Sequence, residues 1–174
     1  MSGQKEPCIL RYAEAHIRDR AAFLATVREV ADRTGSHIVC FDADSLAGRR
    51  HAEAALLHAS RSFASGEAIS NSFEMEALLY AAGSRQCSVA VTFGLHAGEN
   101  RLYVCCCPAP EGIWKLLAGL LCFCDEPDTG ISPAKASRLM ELFGISPAEL
   151  AASGGETRLQ DLVLERVALL EVNK

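Results

Sequence analysis

The order of apolar patterns predicts an α+β fold, a small mixed or antiparallel sheet packed with several helices, with helices dominating the second half. Three observations lead there. Strand-like runs are few, helix-spaced stretches are many, and Gly or Pro punctuation separates them throughout. A chain of 174 residues is the size of one domain, so 1–174 is read as a single domain. Its apolar fraction of 49% is ample for a core, and with aromatics at 6% that core is mainly aliphatic.

Taking the elements in order, Pro7 to Ile17 suits a first strand, although its alternation is imperfect. Asp19 to Thr34 has Ala22, Phe23, Val27, Val30 and Ala31 at helical spacing, and Gly35 stops it. His37 to Phe41 is a short buried strand, whose end carries Asp42, Asp44 and Ser45. Two aspartates there could hold a metal, but capping of the next helix is the commoner role and is expected. Leu46 to Ser65 is predicted as a long helix with Ala52, Leu56, Ala59 and Phe63 as its apolar stripe, ended by Gly66. Asn71 with Glu74 is expected to cap a helix running to Gly83, and Ser84 to Phe93 forms a third helical stretch, with strand also possible.

Gly98-Glu99-Asn100 has turn chemistry before a strand from Arg101 to Cys107. Pro108-Ala109-Pro110 precedes a helix expected over Glu111 to Cys124, followed by an acidic loop to Gly130. Ser132-Pro133 and Ser146-Pro147 each place a capping serine before proline and open two short helices, the first closed by Gly144. Gly154-Gly155 turns the chain, and Thr157 with Gln160 is expected to cap a last helix.

Charge narrows the function. The net charge of −5 excludes a generally basic nucleic-acid coat. It is uneven: −1 over 1–44, +2 over 45–66, −2 over 67–110 and −4 over 111–174. With no basic-then-apolar start and no apolar run near the roughly 20 residues of a membrane span, a soluble, cytoplasmic protein without membrane contact is expected. Eight cysteines are present but no C-x-x-C pair, so the usual zinc pattern is missing. In a strand, Cys105 and Cys107 share one face and Cys106 takes the other. At the end of a helix, Cys122 and Cys124 would lie about 200° apart and could not pinch one metal. The cysteines are read as reduced, buried thiols, with no cofactor. The competing reading is a small intracellular thiol or metal-binding protein using the Cys105–Cys107 cluster.

No nucleophile elbow, phosphate-cradling loop or metal-binding helix motif occurs, so no catalytic residue is assigned and a non-enzymatic protein is expected. The positive island is the better lead. On a helix, Arg50 and Arg61 return to within about 20° of each other, and His51 and His58 form an adjacent stripe. These residues read either as a solvated face or as an anion or RNA contact. Ser70 and Asn71 would add free backbone N–H groups at a helix start, and Arg85 with Gln86 another set of donors. The final helix is apolar on more than one face and either packs in the core or docks a partner.

The run Phe41-Asp42-Ala43-Asp44-Ser45-Leu46-Ala47-Gly48, then His51, His58-Ala59, Phe63, Gly66, Ile69-Ser70-Asn71, Glu76 to Tyr80, Gly83 and Arg85-Gln86 resembles the kinase-binding subunit of the KEOPS complex, the TPRKB family, in its archaeal branch. Leu139 to Phe143 and the closing Leu159 to Leu170 segment are similar as well. The resemblance implies a regulatory subunit of the complex that makes threonylcarbamoyladenosine in tRNA. It implies direct binding and stimulation of the complex's kinase/ATPase subunit, an indirect link to the transferase subunit, and a grip on the tRNA CCA tail. Matched to the family's block, His58, Arg61, Asn71, Tyr80, Arg85 and Gln86 are the expected RNA surface. Arg50 joins them from helix geometry. Leu162, Arg166 and Leu169 of the last helix are the expected kinase contact.

Overall fold

The computed structural model describes residues 8–173, so Pro7 of the first expected strand lies outside the described residues. The elements are β1 (Ile9–Ile17), α1 (Arg20–Thr34), β2 (His37–Asp42), α2 (Arg49–Ser65), α3 (Phe73–Ala82), α4 (Cys87–Ala90), β3 (Gly98–Cys107), α5 (Ile113–Leu117), β4 (Cys122–Phe123), α6 (Pro133–Phe143), α7 (Pro147–Ser153) and α8 (Leu159–Val172). The fold is α+β, with one antiparallel sheet in the order β2-β3-β1-β4. The described residues form two compact units, each from two chain segments: 8–40 with 95–126, and 41–94 with 127–173. The joints at Cys40–Phe41 and Gly94–Leu95 carry no Pro- or Ser-rich stretch, so composition does not mark them. Among the described residues, no helix is long and apolar enough to cross a membrane.

The first unit is built on the β1–β3 pair, in register from Ile9↔Cys106 to Ile17↔Gly98. Strand alternation gathers Ala13, Ala15 and Ile17 of β1, Leu102, Val104 and Cys106 of β3, and Ile38 and Cys40 of β2 into one buried cluster. Val27 and Val30 of α1 and Ile113 and Leu117 of α5 complete it. Tyr12 pairs with Tyr103, the rings edge to face at 5.7 Å. The first helix is bounded as the sequence predicts: Asp19 accepts a hydrogen bond from the Ala22 N–H at 3.0 Å, and Gly35 takes the left-handed conformation.

Three expectations in this unit are corrected. Gly98 to Asn100 belong to β3, because the buried Asn100 side chain satisfies the preceding loop itself. Its amide accepts from the His96 N–H at 2.9 Å and donates to the His96 and Gly98 carbonyls. The helix over 111–124 is cut to Ile113–Leu117, because Cys122–Phe123 instead pairs with the outer edge of β1. There Phe123 packs edge to face on Trp114 at 5.3 Å, which a helical continuation would forfeit. Finally, the cysteines are not all free thiols: Cys8 and Cys107 are joined in a disulfide spanning 99 residues of sequence. A thiol or metal centre using Cys107 would need that bond opened.

The six remaining thiols fall into two classes. Cys40, Cys105 and Cys106 are buried, while Cys87, Cys122 and Cys124 are exposed. Burial pushes the Cys40, Cys105 and Cys106 thiols up to about 12. Thiol titration with a disulfide-exchange reagent at neutral pH is therefore expected to count three groups in the native protein. Denaturant should raise the count to six and reductant to eight. Six fast thiols in the native state would contradict this burial pattern.

The second unit is helical. Leu46, Ala52, Ala55, Leu56, Ala59, Phe73, Ala77, Leu79, Phe93, Leu139, Phe143, Leu159, Val163 and Val167 form its buried apolar interior. Ser132 and Ser146 cap α6 and α7, with proline in the first turn of each. The other helix starts shift by a few residues. Asp42 caps a 3-10 turn at Ala43–Ser45, not the long helix: its carboxylate accepts from the Asp44 N–H and the Ser45 hydroxyl. Consequently α2 begins only at Arg49, after Gly48 at φ 125. Ser72, not Asn71, caps α3 by accepting from the Met75 N–H. A 3-10 turn at Glu156–Arg158 leads into α8 without a side-chain cap from Thr157.

Candidate binding site

Helix α8 organises the surface of the second unit, packing on α2, α3 and α6. It lies close against two glycines. A side chain at Gly48 would meet the Gln160 Nε2 at 3.1 Å, and one at Gly83 would meet the Arg166 carbonyl oxygen at 3.3 Å. Gln160 uses that proximity to donate to the Ala47 carbonyl at 2.9 Å. Both glycines also have positive φ, which only glycine adopts readily.

His51 is not part of a donor stripe. It is fully buried between two backbone groups, its Nδ1 accepting from the Ala47 N–H at 3.1 Å and its Nε2 donating to the Ala81 carbonyl at 2.8 Å. Burial lowers its pKa to about 4, assisted by the charge of Lys135 and opposed by the Ala81 bond. The imidazole is thus neutral and adds nothing to the island's positive charge.

His58 is half-buried, hydrogen-bonded through Nδ1 to the Glu171 carboxylate of α8 at 2.5 Å and stacked on Tyr80 at 5.2 Å. Tyr80 itself has no exposed surface, and Leu162 is also buried, so in this structure both support the surface from beneath. Arg50 stays exposed near Asp161 at 4.0 Å, an open pair of the kind that contributes little to stability. Arg61 is exposed eleven residues further along α2, roughly 16 Å away along the axis. Asn71 is exposed, but the neighbouring N–H groups are not free for an anion. The buried carboxylate of Glu76 already accepts from the Ile69 N–H at 3.2 Å and the Ser70 N–H at 2.8 Å. The apolar sequence around Glu76 and its place inside a helix give no hint of that role.

Four predicted residues do meet. Arg85 and Gln86, expected at the RNA, and Arg166 and Leu169, expected at the kinase, line one cleft of about 460 Å³ with Phe143 and Asn173. Arg85 reaches across to donate to the Asn173 carbonyl at 3.0 Å. Arg166 donates from Nη2 to both carboxylate oxygens of Glu149, at 2.7 and 2.9 Å, and from Nε to the Phe143 carbonyl at 3.3 Å. Leu169 remains 47% exposed. The cleft combines a guanidinium edge with an apolar wall, which suits a planar, partly charged group. No family model matches the chain, and no curated protein matches it.

Proposed function

We propose that this protein is a regulatory, tRNA-recruiting subunit of the KEOPS type, one that contacts the kinase/ATPase subunit and holds the tRNA CCA tail. One observation carries the proposal: Arg85 and Gln86, the surface-exposed end of the resembling block, border the same cleft as Arg166 and Leu169. Most of the rest of that block, including Asp42, Ser45, His51, Glu76 and Tyr80, is spent on internal bonds and packing. A cleft of this character supports gripping an unpaired nucleotide, by charge on its phosphate and apolar contact with its base, without a basic coat. The same reading puts α8 beside both partners, because the cleft and the exposed Leu169 share that helix.

The test compares binding of intact tRNA with tRNA lacking its CCA end. Tighter binding of the intact form is expected, and Arg85→Glu should erase the difference. Equal affinity of the wild-type protein for both would sink the tail-holding role, as would a salt dependence steep enough to imply many phosphate contacts.

A further inference from the structure

Helical geometry would set Cys122 and Cys124 on opposite sides, but the structure gives them strand geometry. Cys122 lies in β4 opposite Glu14 of β1, and the ladder continues through the Cys124 N–H, which donates to the Tyr12 carbonyl at 3.3 Å. Successive strand residues alternate, so Cys122 and Cys124 share one face, roughly 7 Å apart along the chain. Phe123 between them turns to the other face and packs on Trp114. Both cysteines are exposed and free. Two carboxylates lie close by, one of them, Glu14, also facing Arg101 of β3. Glu14 stands across from Cys122, and Asp125 follows Cys124.

We propose that Cys122 and Cys124 form a two-thiolate site for a soft monovalent metal ion, Cu(I). Thiolate sulfur selects soft ions. Zinc would need further ligands to reach its usual four, and among the described residues no group of three or more His, Cys, Asp or Glu is placed to hold a metal ion. Two-coordinate Cu(I) needs only the pair. Binding replaces the two thiol protons by one Cu(I), releases both protons to solvent, and changes no oxidation state. The neighbouring Glu14 and Asp125 carboxylates favour a cation beside the two sulfurs.

The experiment is anaerobic titration of the whole chain with Cu(I), kept reduced by ascorbate, against a chromophoric Cu(I) chelator. Wild type and Cys87→Ser should each retain one equivalent, while Cys122→Ser and Cys124→Ser should lose it with unchanged circular dichroism. In parallel, one equivalent of Cu(I) should block iodoacetamide labelling of Cys122 and Cys124 and leave Cys87 labelled as before. Failure of the wild type to retain copper, or full retention by the Cys122→Ser/Cys124→Ser double variant, would overturn the site. Neither outcome depends on tRNA or a protein partner.

Discussion

Replacing His51 by Ala is expected to lower the unfolding free energy by about 4 kcal/mol, combining a core cavity with loss of partners for the Ala47 N–H and the Ala81 carbonyl. Urea denaturation measures it, and a loss below about 1 kcal/mol would mean that the site collapses or admits water. His51 also predicts a pH dependence. Its folded pKa near 4 lies below the ordinary 6.5, so between those values the unfolded chain binds a proton that the folded protein does not. Stability from this group is therefore complete above pH 6.5 and declines as pH falls toward 4, by about 3 kcal/mol in all. Carboxylates titrate in the lower part of that window, so the informative quantity is the difference between wild type and His51→Gln. The wild type should lose more stability between pH 6.5 and 4. Parallel curves would show that His51 is protonated in the folded state.

Glu76→Ala is the second large effect expected, at about 3 kcal/mol, because it strands the Ile69 and Ser70 N–H groups that the buried carboxylate satisfies. The loss should appear in urea unfolding with little change in slope. Amide exchange should accelerate at Ile69 and Ser70, in the loop before α3, well before that of α3 itself. Unchanged protection there would mean that water or another acceptor replaces the carboxylate at no cost. Glu76→Gln should recover only part of the stability, since one of its two terminal atoms is a donor facing an N–H.

Local signals in the sequence were reliable at most helix ends, although Asn71 and Thr157 do not cap the helices they were expected to open. Asp19, Ser132 and Ser146 cap the helices they precede, and Gly35, Gly66, Gly83 and Gly144 end theirs in the left-handed conformation. They failed where a distant element competed for the same atoms. Asp42 serves a 3-10 turn that is further braced by Arg138 donating to the Ser45 hydroxyl at 2.8 Å and by Lys135 donating to the Ala43 carbonyl at 2.8 Å. Cys122 and Phe123 left a helical pattern because the edge of β1 offered them hydrogen bonds. The candidate site was legible in part: Arg85 and Gln86 were singled out as donors, but nothing in their spacing told that Arg166 and Leu169 would join them.

By itself the sequence determined the α+β class, most element boundaries and the apolar faces, because periodicity and caps act over a few residues. Tertiary structure alone decided which polar groups are available for function. His51 and Glu76 are bonded to backbone groups that come near only on folding, so each is spent inside. Cys122 and Cys124 came to share a face by the same route, through pairing with a strand more than a hundred residues earlier. A side chain's type is written in the sequence, but its freedom to bind depends on which partners folding has already supplied.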